Sequence, residues 1–117
     1  MTQEDKELLL KDLCARLPYG VKVESVFINP DTKEHKSCGI EVFNATSLLM
    51  IRDGLGEFKP YLFPLLSMTE EERIAIGNEF AYGQPHKAMD ILHQRHIDYR
   101  GLIPKGLAID ATGLNIY

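Results

Sequence analysis

Three polar residues in the C-terminal half recur at helical spacing and could do chemistry together. His86, Asp90 and His93 are four and three residues apart, so one side of a helix would carry all three. Imidazoles and carboxylates bind zinc, and a carboxylate can also orient a histidine for base catalysis. The stripe raises the hypothesis of a metal-dependent hydrolase, which would need a further carboxylate such as Asp98 or Asp110. The alternative is an exposed stripe in which Asp90 pairs with a neighbouring histidine.

The segment HIDYRGLIPKGLAID, residues 96–110, contains glycines, a proline and two cations, as phosphate-binding loops do. In such a loop a lysine follows the second glycine, and a serine or threonine comes next. Here Lys105 precedes Gly106 and Leu107 follows it, so the phosphate-loop interpretation fails. We instead predict a closing turn, in which Asp98 caps a helical turn and Gly106 takes the left-handed position at its end.

Five further residues are candidates for binding a partner or ligand. They are Tyr61, Phe63, Tyr99, Arg100 and Lys105. Arg100 and Lys105 are predicted to point outward from the closing turn, beside Tyr99. The first two aromatics belong to the proline-flanked stretch PYLFPL, residues 60–65. Exposed, that stretch would be a docking surface for a protein; buried, it would be a wall of the core, which its aromatic content favours.

Composition narrows the class of protein. The chain has 117 residues, of which 44% are hydrophobic and 26% charged, so we expect one globular domain over residues 1–117. A net charge of −4 argues against non-specific binding of nucleic acid, although a local patch of Arg95, Arg100 and Lys105 stays an alternative. The small size, the acidity and the absence of catalytic motifs favour a protein that binds another protein, and we expect no cofactor.

The compartment can also be predicted. The N-terminal run MTQEDKELLL is acidic and has only three consecutive apolar residues, unlike a signal peptide. No stretch approaches the ~20 apolar residues of a membrane span. Cys14 and Cys38 match no metal or redox spacing. We therefore expect a cytoplasmic protein with reduced thiols and no membrane partner.

The elements that must position these residues begin with a helix. Thr2 is predicted to cap this helix, and Pro18 and Gly20 to end it. Its apolar face is predicted to comprise Leu9, Leu10, Leu13, Cys14 and Leu17. Cys14 would then be a packed, inert thiol.

Strands are predicted over residues 21–28, 38–43, 48–51 and 58–63. The alternation of the first strand changes phase, which either a bulge near Ser25 or burial of both faces would explain. The last strand contains Pro60 and is followed by Pro64, which would confine it to an edge of the sheet or to extended, unpaired chain. The consecutive strands and short turns predict a three- or four-stranded antiparallel meander.

Two helices follow the strands. Thr69 and Glu72 form the sequence pattern of a capping box, and Pro85 suits the first position of a helix that continues to about His96. His96 shares a face with apolar residues and is expected to be a partly buried, hydrogen-bonded, neutral histidine. The fold class is therefore α+β, with an N-terminal helix and two to three C-terminal helices packed on the sheet.

Three segments resemble a known group of sequences. They are LLLKDLCARLPYGVKV (residues 8–23), KPYLFPLLSMTEEE (59–72) and HIDYRGLIPKGLAIDATGLNIY (96–117). Together they resemble a family of short uncharacterised proteins from gut anaerobic bacteria and their phage-like mobile elements. The resemblance covers a little under half of the chain. It implies a genomic context and brings no activity or catalytic residue.

The function predicted from these observations is that of a small non-enzymatic module that binds another protein. It would act as an accessory or regulatory factor, encoded on a mobile element if the resemblance holds. The alternatives are a nucleic-acid-associated factor that uses the local basic patch and a metal-dependent hydrolase that uses the histidine stripe.

Overall fold

Four helices and a mixed five-stranded sheet make up residues 2–117, the part of the chain described by the computed structural model. The helices are α1 (Gln3–Arg16), α2 (Ala45–Arg52), α3 (Glu70–Ala81) and α4 (Pro85–Gln94). The strands are β1 (Lys22–Ile28), β2 (His35–Val42), β3 (Gly56–Pro64), β4 (Ile97–Asp98) and β5 (Ile109–Asp110). The α+β class is confirmed. None of the helices in these residues is both long enough and apolar enough to span a membrane.

The sheet is centred on β1 and β3. β1 pairs antiparallel with β2 on one side and with β3 on the other. The C-terminal half of β3 adds two short parallel partners, β4 and β5. The predicted meander is therefore wrong in its strand order, because the third strand returns to β1 rather than to β2. α2 lies between β2 and β3 in the sequence and explains this order, because it carries the chain from β2 to the other side of β1 before β3 begins.

The predicted irregularity near Ser25 is confirmed. The register between β1 and β2 shifts between Ser25 and Val26, whose partners are Gly39 and Ser37. The extra residue is thus Cys38 on β2. Gly39 has a φ of 82°, a left-handed conformation that glycine adopts without a Cβ penalty and that accompanies one type of bulge.

Local capping explains where the helices start. The Thr2 hydroxyl accepts from the Asp5 amide, and the Thr69 hydroxyl accepts from the Glu72 amide, as predicted for α1 and α3. The prediction of a strand at residues 48–51 is wrong, because that run lies in α2. Its cap precedes it: the Asn44 side chain accepts from the Ser47 amide at 3.2 Å.

The buried face of α1 differs from the predicted one. Leu9 and Leu13 are buried, whereas Leu10 is 38% exposed and Cys14 lies on the surface. α1 is rotated about its axis relative to the predicted orientation, because it also buries Asp12 and, one turn later, Arg16. The prediction that Cys14 is a packed thiol is therefore wrong.

The prediction of an edge strand holds only for the N-terminal half of β3, where residues 56–60 pair with β1 alone. It is wrong for the C-terminal half, which also pairs with β4 and β5. Pro60 stands opposite Val23 of β1. Pairs in an antiparallel ladder alternate between bonded and non-bonded, and a proline fits a non-bonded pair because it has no N–H to donate. The strand contributes Phe58 and Leu62 to the main core, which α1 covers with Leu9 and Leu13.

The PYLFPL stretch is divided between core and surface. Tyr61 and Leu62 are buried at 8% and 0% exposure, and Phe63 is half-buried. Leu65 and the following Leu66 are exposed at 46% and 86%. The chain turns outward at Pro64, where β3 ends.

Because one leucine of this region is buried and another is exposed, we expect their substitution by alanine to affect stability to very different extents. We expect Leu62→Ala to lower the free energy of unfolding by about 2–5 kcal/mol, since a fully buried leucine leaves a cavity. We expect the matched variant Leu66→Ala to change it by less than about 0.5 kcal/mol. Urea unfolding followed by circular dichroism measures both. Similar losses in the two variants would contradict the described burial.

Candidate functional site

A fully buried carboxylate on α1 bonds two arginines from distant parts of the chain. Asp12 Oδ2 accepts a hydrogen bond from Arg16 Nε at 2.8 Å, one helical turn further along. Asp12 Oδ1 accepts from Arg100 Nε at 3.1 Å. Asp12 and Arg16 are both inaccessible to solvent. Charges removed from water require such partners, so this group fixes α1 to the segment that follows β4.

Arg16 also bonds the backbone of β4 and contacts an aromatic ring. Its Nη2 donates to the Ile97 carbonyl oxygen at 2.5 Å, whereas its Nη1 has no partner among the described residues. The guanidinium carbons of Arg16 and Arg100 lie 5.1 Å and 5.0 Å from the centroid of the Tyr99 ring. The ring therefore contacts both cations, which its π face attracts.

Tyr99 extends the network to α4. Its hydroxyl accepts from Arg100 Nη2 at 3.1 Å and lies 2.7 Å from His93 Nε2. Burial, followed by the positive charge of Arg16, lowers the pKa of His93. The imidazole is therefore mainly neutral at pH 7, and its Nε2 can accept the Tyr99 proton.

The predicted stripe on α4 does not converge on one point. His86 is exposed, and His93 faces the buried network instead. Asp90 accepts a hydrogen bond from the Tyr19 hydroxyl, and this bond raises the pKa of Tyr19. In the part of the chain that the structure describes, no three His, Cys, Asp or Glu side chains are grouped to hold a metal ion. Side-chain geometry thus gives the metal-dependent hydrolase hypothesis no support.

His96 lies beside this network, just after α4, with a left-handed φ of 56°. Its ring stacks on that of Tyr117 at a centroid distance of 3.7 Å. Burial, followed by the positive charges of Arg16 and Lys22, lowers the pKa of His96 to about 4. The predicted burial is confirmed, but the expected hydrogen bond is missing at Nδ1, which has no partner among the described residues.

Tyr117 joins the C-terminal segment to the sheet. Its hydroxyl donates to the Tyr61 carbonyl oxygen at 2.7 Å and accepts from the Lys22 amide at 2.9 Å. Tyr117 as a whole is 42% exposed, but removal of its hydroxyl from water raises its pKa to about 12. The Phe63 ring lies 5.9 Å from the Tyr117 ring. Tyr61 and Phe63 are thus occupied by contacts within the chain and do not form an exposed aromatic patch.

The closing turn has the predicted form. The Asp98 carboxylate accepts from the amides of Leu102 and Ile103, both at 2.9 Å. Gly106 has a φ of 74°, and the Leu107 amide donates to the Leu102 carbonyl oxygen at 3.0 Å. The turn is therefore a capped chain closure, and its leucines belong to the main core.

The predicted basic patch is not assembled. Arg100 was expected to point outward, and this is wrong because its guanidinium bonds the buried Asp12. Arg95 forms an ion pair with Glu72 at 2.7 Å. Lys105 is exposed, as predicted. Two of the three cations are thus neutralised by carboxylates, which removes the main support for binding a phosphate chain.

The sequence analysis missed Asp12 and Arg16, the residues at the centre of the network. A signal for them exists: opposite charges four residues apart, in helical phase with Leu9 and Leu13. The polar groups of this network mainly bond one another, so the arrangement favours a structural role over one in catalysis.

α3 presents an apolar surface that the core does not use. Ile76 is its one buried side chain, whereas Ile74 and Phe80 are 56% and 48% exposed. With 100° of rotation per residue, six exposed residues of α3 fall within an arc of about 120°. Two of them are charged, Glu70 and Arg73. The other four are Ile74, Gly77, Phe80 and Ala81, which we call the α3 face. Tyr82, which follows the helix, is 90% exposed.

Comparison with known proteins does not place the chain in a family. No protein-family model matches it, and no curated protein or solved structure matches it.

Removing the buried carboxylate should cost more stability than removing a surface one. We expect Asp12→Asn to lower the free energy of unfolding by about 3–5 kcal/mol, because two arginines then lose their counter-charge inside the fold. Glu7→Gln, an exposed position on the same helix, should change it by less than about 0.5 kcal/mol. Urea unfolding at pH 7 gives both values. A loss at Asp12 no larger than that of the control would show that the network is not buried as described.

His96 should make stability depend on pH. The folded-state pKa of about 4 lies below the unfolded value of about 6.5, so the unfolded state binds the proton first as the pH falls. The contribution of His96 is complete above the unfolded pKa and is lost as the pH falls towards the folded one. We expect a loss of about 2 kcal/mol between pH 7 and pH 5.

The matched variants are His96→Asn and His86→Asn. Asparagine tolerates left-handed backbone, so His96→Asn should fold and lose most of this dependence. His86→Asn should retain it, because that histidine is exposed. Urea unfolding at pH 7 and at pH 5 measures the loss of unfolding free energy for each variant. An undiminished loss in His96→Asn would contradict the assignment to His96.

Proposed function

We propose that this chain is a small non-enzymatic module that binds another protein and acts as an accessory or regulatory factor. The observation that carries the proposal is the α3 face, whose apolar side chains contact solvent instead of the core. Small proteins bury such a helix face against a partner, because its exposure opposes the hydrophobic effect.

Charge indicates which kind of partner fits. Glu70 lies within the arc of the α3 face, and Glu71 lies about 60° from Ile74 at its side. Arg73, the single cation of the helix, also lies within the arc. Glu70 and Glu71 take part in no ion pair within the described residues. A basic amphipathic helix would place leucines on the apolar arc and lysines beside these carboxylates. A second copy of this chain is a poorer fit, since it would bring like charges together.

The accessory role rests on the resemblance of three segments to short proteins of gut anaerobic bacteria and their phage-like mobile elements. The polar groups of the buried network mainly bond one another, which also favours a binding role over a catalytic one.

A synthetic peptide can test the proposal. The probe is a fluorescein-labelled amphipathic helix built from leucine and lysine, titrated with the protein and followed by fluorescence anisotropy. The test variant combines Ile74→Ser, Phe80→Ser and Tyr82→Ser. We expect it to bind at least tenfold more weakly, a loss of about 1.4 kcal/mol, because it removes the apolar contact.

The control variant changes exposed apolar residues elsewhere. Ile40→Ser with Val42→Ser alters two positions of β2 that are 54% and 49% exposed, and it should bind as the unaltered protein does. The same peptide with glutamate in place of lysine should bind at least tenfold more weakly. Equal affinity in the test and control variants would refute the assignment to α3.

A further inference from the structure

β2 forms one edge of the sheet and lies at the surface along its whole length. Within residues 2–117 its one partner strand is β1. All eight of its residues, His35–Val42, are exposed, including Ile40 at 54% and Val42 at 49%. An edge strand presents unpaired N–H and C=O groups to solvent. Because no residue of β2 is buried, a further strand can reach these groups.

Hydrogen bonds at both ends of the β1–β2 ladder show which peptide groups of β2 face outward. Just beyond one end, the Phe43 amide donates to the Val21 carbonyl oxygen at 2.9 Å. Just beyond the other, the Asn29 amide donates to the Glu34 carbonyl oxygen at 2.9 Å. Bonded and non-bonded pairs alternate, so the N–H and C=O groups of four β2 residues point away from β1. They are His35, Ser37, Ile40 and Val42.

Most of these outward groups have no partner in the chain. The Val42 carbonyl oxygen, at the end of the strand, accepts from the Asn44 side-chain amide at 3.3 Å. Among the described residues, the backbone groups of His35, Ser37 and Ile40 bond nothing outside the β1–β2 ladder. The edge can therefore exchange main-chain hydrogen bonds with another strand.

The outward residues are arranged symmetrically about the bulge at Cys38. His35 and Val42 are the outer two, and Ser37 and Ile40 are the inner two. When two β2 strands lie antiparallel, Ser37 of one copy can stand opposite Ile40 of the other, and His35 opposite Val42. Every outward group then meets an outward group, as the bonded pairs of an antiparallel ladder require.

The bulge also places these opposed residues on the same face of the sheet. Ser37 and Ile40 are three residues apart and would face opposite sides in a regular strand. The extra residue, Cys38, shifts the alternation by one. The β1 partners of Ser37 and Ile40 are Val26 and Glu24, which are two residues apart and therefore share a face. The self-pairing is thus possible because β2 is bulged at its centre.

Charge selects the same register. Lys36 and Glu41 share a face, because their β1 partners, Phe27 and Val23, are four residues apart. In the symmetric register Lys36 of each copy stands opposite Glu41 of the other, in a non-bonded pair where side chains come closest. Neither residue forms an ion pair in the part of the chain described. Registers centred on Lys36 or on Glu41 would bring like charges together and pair fewer residues.

We propose that β2 pairs antiparallel with β2 of a second copy of this chain, in the register centred on Cys38 and Gly39. The two sheets then join into one across a two-fold axis, and each contact occurs twice. Strands lie about 4.8 Å apart, so the β1 strands of the two copies are about 14 Å apart. That leaves room for an α1 helix, about 10 Å wide, on each half. Because the interface is small, we expect a dissociation constant on the order of 100 μM.

A second copy fits this edge better than a regular strand of another protein does. A regular strand keeps its alternation past the bulge, so it meets β2 in phase on one side of Cys38 and out of phase on the other. A second β2 has its own extra residue at the same place, which keeps both halves in phase. The β2 edge shares no residue with the α3 face, so this proposal does not rest on the proposed function.

Charge exchange tests both the occupant and the register, with sedimentation velocity at low salt as the measurement. Lys36→Glu places two pairs of glutamates opposite each other, and Glu41→Lys places two pairs of lysines, so each variant alone should dimerise about fivefold more weakly. An equimolar mixture of the two restores opposite charges in both pairs and should associate as the unaltered protein does. The control Lys11→Glu makes the same charge change at an exposed position of α1 and should leave dimerisation unchanged.

Engineered cysteines test the pairing directly, in a chain whose two native cysteines are changed to serine. The Cα atoms of a non-bonded antiparallel pair are about 4.5 Å apart, a distance that a disulfide bridges. Lys36→Cys combined with Glu41→Cys should therefore give a covalent dimer on oxidation. Within one chain the two positions are more than about 10 Å apart along the strand, too far for a bridge. The control Ser37→Cys with Glu41→Cys puts the thiols on opposite faces and should crosslink about tenfold more slowly.

Three outcomes would overturn the proposal. A monomer at protein concentrations up to about 1 mM would leave the β2 edge to a strand of a different protein. A dimer that neither charge variant weakens would place the contact on another surface. Equal crosslinking of the two cysteine pairs would show chance collisions between exposed thiols instead of a defined register. The combined α3 variant should dimerise as the unaltered protein does.

Discussion

The fold depends on how a single carboxylate is neutralised inside it. Asp12 has no access to water, so its charge is tolerable only while Arg16 and Arg100 both bond it. This requirement fixes the rotation of α1 and therefore which leucines it buries. It also places β4, because Arg16 bonds the Ile97 carbonyl. The position of the C-terminal segment thus follows from electrostatics as much as from apolar packing.

Features set by short stretches of chain could be predicted from the sequence. The caps at Thr2, Thr69 and Asp98 each involve residues at most five positions apart, and each was recognisable from residue type. The left-handed Gly106 belongs to the same class. In each of these cases the physical cause and its consequence lie within about six residues. The bulge near Ser25 could be predicted from the phase change within β1 alone, although its extra residue lies on β2.

Features set by distant partners could not be predicted in this way. Nothing near Arg100 indicates that its partner lies 88 residues earlier, so an outward direction was the natural expectation. The apolar run at 48–51 fits a strand or a helix equally, and only the cap before it decides. The two-residue strands β4 and β5 are too short to show a pattern. The exposure of the α3 face could not be predicted either, because it depends on which other elements α3 packs against.

The contacts of Tyr117 have a consequence for the order of events during synthesis. Its hydroxyl bonds Lys22, 95 residues earlier, and its ring covers His96. At 5–20 residues per second, a ribosome makes that partner roughly five to twenty seconds after β1. Until Arg100 is made, Asp12 lacks one of its two arginine partners, and until Tyr117 is made, its hydroxyl cannot bridge Lys22 and Tyr61. The native contacts of α1 and β1 with residues 96–117 therefore form long after α1 and β1 have been made.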